Sequence, residues 1–567
     1  MSRHRFSHPA GATLVALAGL ACNPPPDAIV GLPPSGGADA STALDAGDPF
    51  AAKRAACTFG AGARATETLP ISASEQAAIP ITHVVVVMKE NRSFDHLLGN
   101  LAAEGQPDAE AIPASFTNQD DSGAAVAPFH LPTTCVNMDP GHQWDEMHRQ
   151  VNGGKMDGFV TNGADTTGGD GHFVMGTYEA RDVPFYYWLA NTFAINDHHF
   201  ASARSGTWPD RNFLMLGTAD GVRCTYCGLP DPSTRSIFDA LDAVGVSWGA
   251  YTDGDPFDGT LGWTKDHAGV HSFADFKAAL AAGTLPHVSF VDGIGWLEDE
   301  HPTADVQVGE AWTRTVYEAA VASPLWPNLA MIWTYDEGGG FADHVPPPNQ
   351  ACIARPGNPR DTPFFELGVR VPLAMISPYV RPHYVSHVVQ DHTAITRFIE
   401  VVFGLPALTA RDANSDGLLD MLNFNCLPPL LHPPEAPAAG VGGCNGVVVL
   451  STDMESYTSS VDMAVKVSFS GVTAPAAHDR IGVYHYADVP TEVNGLDPVA
   501  WAYIGGQGHV AQGAPSSGVV TIDKTTPSTG AAWPLPSGLW IAYYLPALPS
   551  GQDGHTPLAS ADFEVGP

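Results

Sequence analysis

The sequence predicts an α/β core with a mostly parallel sheet and helices on both faces, followed by a C-terminal antiparallel β-sandwich. Three observations carry that expectation. The segment His83–Met88, HVVVVM, is an unbroken apolar, β-branched run suited to a strand buried on both faces. Similar runs recur at Leu329–Trp333 and Val371–Ile376, with helical stretches such as Pro184–Ala194 and Ala311–Ala322 between them, an alternation that signals parallel strands joined by crossovers. After about Cys444, short alternating runs such as Met463–Phe469, Ile481–Tyr486 and Trp540–Leu545 are separated by Gly, Pro and Asp clusters, the pattern of a sandwich.

At 567 residues the chain is too long for one hydrophobic core, and its 44 % hydrophobic content suffices to fold more than one. Arg3 and Arg5 precede an apolar run, Ala12–Ala21, that is too short to span a bilayer and reads as an export signal ending at Cys22. Gly19–Cys22, GLAC, resembles a bacterial lipobox, although Gly19 stands where Leu or Val is usual. A lipidated Cys22 would anchor the chain at the outer membrane or cell surface; without it the chain would be periplasmic or secreted. The expected organisation is therefore a signal peptide at 1–22, a disordered Pro-, Gly- and Ala-rich tether at 23–60, a catalytic domain at 61–426, a Pro-rich linker at 427–442 and the sandwich at 443–567.

Cysteine usage fits an oxidising compartment. With Cys22 set aside seven cysteines remain, and which of them pair is not readable. Cys224 and Cys227 form a lone CxxC without two further ligands nearby, so a disulfide is expected there rather than zinc. Twenty-six Lys and Arg against 61 Asp and Glu leave a net charge of −35, which repels polyanions and argues against nucleic acid as a partner. A phosphate ester can still bind where a metal or local cations offset the charge.

Open α/β sheets place ligands at the carboxyl ends of their strands, so the residues that follow the apolar runs carry most weight. Glu90-Asn91-Arg92-Ser93-Phe94-Asp95 follows the first run and offers hard oxygen ligands for a divalent cation; a polar turn capping the next helix is the alternative. Leu329–Trp333 runs into Thr334-Tyr335-Asp336-Glu337-Gly338-Gly339-Gly340. Adjacent carboxylates there repel unless a cation lies between them, or else form a solvated turn. Between these, Ser205-Gly206-Thr207-Trp208-Pro209-Asp210-Arg211 puts a hydroxyl at a helix start, where Thr207 is either an N-cap or an activated nucleophile.

Six ordered motifs, HVVVVMKENRSFDHLLG, DPGHQWDEMHRQVNGGKMDGFV, SGTWPDRNFLMLGT, DEHPTAD, TYDEGGGFADHVPPP and VSHVVQDHTAITRFIEVVFGLP, together resemble the phosphoesterase family of bacterial phospholipases C and acid phosphatases. That family belongs to the alkaline phosphatase superfamily, and the resemblance spans about Ile81 to Asp420. It implies an alkaline-phosphatase-like sheet and a hydrolase acting on a phosphate ester or phospholipid. One divalent metal ion, calcium, manganese or zinc, would be held by Glu90, Asn91, Asp336 and Glu337, with Thr207 as the nucleophile that also touches the metal. It further implies that His142 and His301 bind the phosphoryl oxygens or serve the leaving group, with Asp343, His344, His387 and His392 in support. For each histidine a buried, hydrogen-bonded ring is the alternative. Two positions depart from the family pattern: Asp210 stands where Asn is usual, and Gly338 where many relatives carry His or Asn.

Other readings remain open at this point: a phosphodiesterase or sulfatase of the same superfamily, or a non-catalytic surface binding protein on the same fold. Asp412-Ala413-Asn414-Ser415-Asp416-Gly417 resembles the first part of a calcium loop, but its twelfth position is Asn423 rather than Glu. The aromatics of the C-terminal region, including Trp501, Tyr503, Trp540, Tyr543 and Tyr544, are expected in its core.

Overall fold

In a computed structural model of the chain, the described residues are 48–136, 138–225, 227–253, 270–295, 297–424 and 427–440, together with the strand-bearing stretches between 449 and 566. The expected signal peptide, with Cys22, lies outside them, as do residues 23–47 and Cys444.

Among the described residues the main sheet has eight strands: β1 (His83–Lys89), β2 (Ala194–Asn196), β3 (Trp248–Tyr251), β4 (Val270–His271), β5 (Val288–Val291), β6 (Leu329–Tyr335), β7 (Leu373–Ile376) and β8 (Tyr384–Ser386), in the order β8-β2-β7-β6-β1-β5-β3-β4. β1 lies at the centre, parallel to β5 and in seven-residue register with β6, from His83 opposite Leu329 to Lys89 opposite Tyr335. Residues 84–89 and 329–335 are all buried, and since successive side chains point to opposite faces, both faces are covered. This is why the two strands read as continuous apolar runs. Helices α1 (Phe94–Leu98), α2 (Trp144–Val151), α3 (Pro184–Thr192), α4 (Thr207–Leu216), α5 (Val306–Ala322) and α6 (Thr393–Phe403) flank the sheet. Val316, Tyr317 and Ala320 of α5 and Ala394, Ile395 and Phe398 of α6 join the same core as β1 and β6.

The sheet is mixed in one respect that the apolar runs did not reveal. β7 is antiparallel to both of its neighbours, β6 and β2. Apolar patterning reports burial, not direction, so the third run looked like the other two. As a result Arg370, which precedes β7, lies at the same end of the sheet as the residues that follow β1 and β6.

Two boundary expectations need correction. Residues 48–60, placed in the tether, are folded: Arg54 pairs with Asp48 at 2.6 Å and donates to Thr68 O at 2.9 Å, and a disulfide joins Cys57 to Cys352. The Pro-rich stretch after 427 lies on the core, with Leu430 buried and the Trp326 indole donating to Leu431 O at 3.0 Å. The expected CxxC disulfide, Cys224 to Cys227, is present.

Among the described residues from 449 onward lie a three-stranded and a five-stranded sheet, antiparallel except where Ser456–Thr458 runs parallel to Ala559–Gly566. They enclose a separate core that includes Trp540 and Tyr544. Among the described residues no helix is long and apolar enough to cross a membrane.

Candidate active site

Glu90 and Asn91 continue directly from β1, and Asp336 and Glu337 from the adjacent, parallel β6, so the register of the two strands brings both pairs to one edge. Asn91 takes a left-handed backbone, φ 59°, which an asparagine tolerates better than most residues, and its N–H donates to Asp336 Oδ1 at 3.3 Å. Gly339, φ 61°, lies against this turn; a Cβ there would come within 2.1 Å of Asn91 O. The glycines after the acidic pair thus let two backbone turns meet. Gly338 is equally constrained, since a Cβ would come within 2.3 Å of Val369 Cγ2, so the larger residue usual at this position would need Val369 to move.

Thr207 is the first residue of α4, and Gly206, not Thr207, is the N-cap. The side chain is therefore not used for capping; its hydroxyl lies 3.5 Å from Asn91 Oδ1 and also contacts the Asp336 carboxylate. Helix α4 exposes its free N–H groups at this end, which favours an anion beside the hydroxyl.

Arg211, one turn further along α4, went unassigned in the sequence. Its guanidinium donates to Glu90 Oε1 at 2.8 Å and to Asp292 Oδ1 at 3.0 Å, and its Nε lies 3.9 Å from Asp336 Oδ2. Asp292 follows the apolar strand β5 just as Glu90 follows β1, a signal that the run VSFV carried unnoticed. The neighbouring carboxylates outweigh burial and hold Arg211 more firmly protonated than usual.

One guanidinium does not balance this site. Asp336 is pushed up to about 6 by burial, although Arg211 opposes the shift; Glu337 is driven well above the carboxylate range by burial and then by Asp336. Asp336 Oδ2 and Glu337 Oε1 are buried and make no hydrogen bond. Fully buried carboxylate oxygens without donors, beside an amide and a hydroxyl oxygen, fit a hard divalent cation.

His142 and His301 border this set. His142 Nδ1 lies 2.6 Å from Pro140 O, while its Nε2 lies 3.2 Å from Asn91 Nδ2 and 3.6 Å from Glu337 Oε1. His301 Nδ1 lies 2.6 Å from Pro302 O, and the two rings are 5.6 Å apart. In each ring the carbonyl takes the Nδ1 proton and leaves Nε2 as the functional nitrogen. Burial lowers the pKa of both, and His142 lowers that of His301 further.

The supporting residues fall into neighbouring clusters. Arg370 donates to Asp343 at 2.9 Å and Asp95 at 2.7 Å, and Asp95 also accepts from His344 Nδ1 at 2.7 Å. This group of potential metal ligands already holds a cation, the guanidinium. His387 pairs with Asp197 at 2.7 Å, just beyond the ends of β8 and β2. His392 Nε2 meets Tyr335 O at 2.9 Å, and its Nδ1 lies 3.7 Å from Asp210 Oδ1. The loss of an amide at 210 does not loosen the loop before Thr207, because Asp210 Oδ1 accepts from Ala203 N at 2.7 Å. The calcium-loop resemblance also fails: Asp412 caps its own short helix by accepting from Thr409 N at 2.7 Å, and the Asn414 amide bonds to the backbone of Phe59.

The sequence model of the Phosphoesterase family matches residues 81–406, a span that contains every residue of this site. The chain belongs to the phosphoesterase family. It is accordingly a hydrolase acting on phosphoester bonds. Among its relatives, non-specific phospholipase C1 of Arabidopsis thaliana is 32% identical over 375 residues, covering 59% of this chain and 69% of that protein. Phospholipase C B of Mycobacterium tuberculosis is 32% identical over 453 residues, covering 67% of this chain and 86% of that protein. A solved structure from Vibrio parahaemolyticus, described as a protein in the alkaline phosphatase superfamily, covers 45% of this chain and 67% of its own at 13% identity and a TM-score of 0.28.

Proposed function

We propose that this phosphoesterase is a metal-dependent enzyme of phospholipase C or acid phosphatase type, working through a phosphothreonine on Thr207. The observation that carries the reading is the Thr207 hydroxyl, free of capping duty at the start of α4 and in contact with Asn91 and Asp336. Glu90, Asn91, Asp336, Glu337 and Thr207 would hold a divalent cation, which supplies charge for the phosphoryl oxygens and lowers the pKa of the hydroxyl.

The residues of the chain do the rest. Thr207 Oγ1 attacks phosphorus as its proton passes to Asp336 or to water; the Oγ1–P bond forms and the bond to the leaving oxygen breaks. His301 or His142 gives its Nε2 proton to that oxygen and then takes one from the water that cleaves the phosphothreonine. The backbone N–H groups of α4 orient the phosphoryl group. Phospholipid is the favoured substrate because relatives about 32% identical to this chain are phospholipases C.

The test is turnover of a chromogenic phosphomonoester and of phosphatidylcholine, with and without chelator, beside Thr207→Ala. Choline-phosphate, nucleotide and sulfate esters assayed in parallel separate this reading from a phosphodiesterase or sulfatase. Loss of activity with chelator and in the variant is expected; unchanged turnover in Thr207→Ala contradicts the reading. An exported enzyme, tethered by a lipidated Cys22, would meet such substrates outside the cytoplasm, and mass analysis of the mature N-terminus tests that placement.

A further inference from the structure

Three residues of the site follow directly on three residues of one buried cluster: Glu90 on Lys89, His301 on Glu300, and Asp336 on Tyr335. Glu300 is the hub. One of its carboxylate oxygens accepts from the Tyr186 hydroxyl and lies 3.0 Å from Lys89 Nζ; the other accepts from the Tyr335 hydroxyl. Lys89 is further fixed by Gly309 O at 3.0 Å and Thr313 Oγ1 at 3.2 Å, both on α5. Gly309 permits this approach, because a Cβ there would come within 2.2 Å of Glu300 Cγ.

The backbone at this point is constrained as well. Glu300 has φ 78°, a left-handed conformation that is unfavourable for a non-glycine residue and persists only where its surroundings impose it. Those surroundings are the hydrogen bonds from Arg92 Nε to Glu300 O at 3.0 Å and from Glu90 N to Asp299 O at 2.8 Å. A buried carboxylate with three partners, on a strained residue, ties the loop of His301 to both strands that end in the carboxylate set.

We propose that Glu300 is a positioning residue, whose carboxylate, anchored by Lys89 of β1 and Tyr335 of β6, holds the His301 imidazole in reach of the leaving group. This rests on the proposed role of His301 in protonating the leaving oxygen. A displaced His301 harms esters whose leaving group needs a proton, such as an alkyl phosphate, far more than p-nitrophenyl phosphate, whose leaving group departs as a stable anion.

The test uses the full chain and a double-mutant cycle of Glu300→Gln with His301→Asn. A parallel cycle uses Tyr335→Phe, which keeps the Lys89–Glu300 pair and removes only a hydroxyl, should Glu300→Gln fail to fold. Each single variant is expected to lower kcat on the alkyl ester by about 10- to 100-fold with little change in KM, and to affect p-nitrophenyl phosphate much less. The double variants should be no slower than His301→Asn alone. Additive losses beside an impaired His301→Asn, or equal losses on both esters, would overturn the proposal alone. Full activity of His301→Asn would overturn it together with the leaving-group role of His301, leaving the Thr207 reading to its own test.

Discussion

Arg211 Nη2 and Glu90 Oε1 are 2.8 Å apart and buried, so the helix that begins at Thr207 is pinned, one turn in, to the strand end that carries the first acidic residue. Because the same guanidinium also bonds Asp292, replacing it frees two carboxylates in a site already crowded with negative charge. Arg211→Gln should reduce kcat/KM by about 10- to 100-fold and raise the metal concentration needed for half-maximal activity. Steady-state kinetics against added metal measure both effects.

Asp210 is driven well above the carboxylate range by burial, and its Oδ2 makes no hydrogen bond. A raised folded-state pKa contributes stability that is present in full below the unfolded value and lost as pH rises through the folded one, so at neutral pH the group is a liability. Asp210→Asn keeps an acceptor for Ala203 N and removes the ionisation. It should stabilise the protein by about 1 to 3 kcal/mol at pH 7 and by much less near pH 4, as read from denaturant midpoints at the two pH values.

His344 shows the same linkage with a cation. Burial works against its proton, but hydrogen bonds to Asp95 and Glu110 win and raise it to about 9. The stabilisation is present in full below about pH 6.5 and lost as pH climbs through about 9. His344→Gln should therefore cost on the order of 2 kcal/mol at pH 6 and little at pH 10, and thermal unfolding across that range checks the slope.

His142 and His301 hold their protons less readily than a free imidazole. A leaving group that must be protonated is thus served best on the acid side, and kcat/KM for an alkyl ester should fall as pH rises through the window below the ordinary imidazole value. The fall should be shallower for p-nitrophenyl phosphate, and pH profiles of the two esters compared side by side measure the difference.

The legible parts of this molecule are those where burial and chemistry sit next to each other in sequence. β1 and β6 are covered on both faces, so they read as apolar runs, and the acidic pairs directly after them read as a site. Thr207 was ambiguous because the choice between N-cap and nucleophile depends on where the helix begins, and the cap is Gly206. Arg211 and Asp292 were missed because their significance comes from pairing across α4 and β5, some 80 residues apart, which no local pattern records. The direction of β7 and the buried pairing of Lys89 with Glu300 are likewise tertiary facts.

The central claim is that Thr207 carries the phosphoryl group during turnover. Acid quenching of the enzyme during hydrolysis of a phosphate ester, followed by peptide mass analysis, tests it most directly. A single phosphoryl group on the peptide containing Thr207, absent from Thr207→Ala, is the expected result; a phosphoryl group trapped on any other side chain would contradict the account.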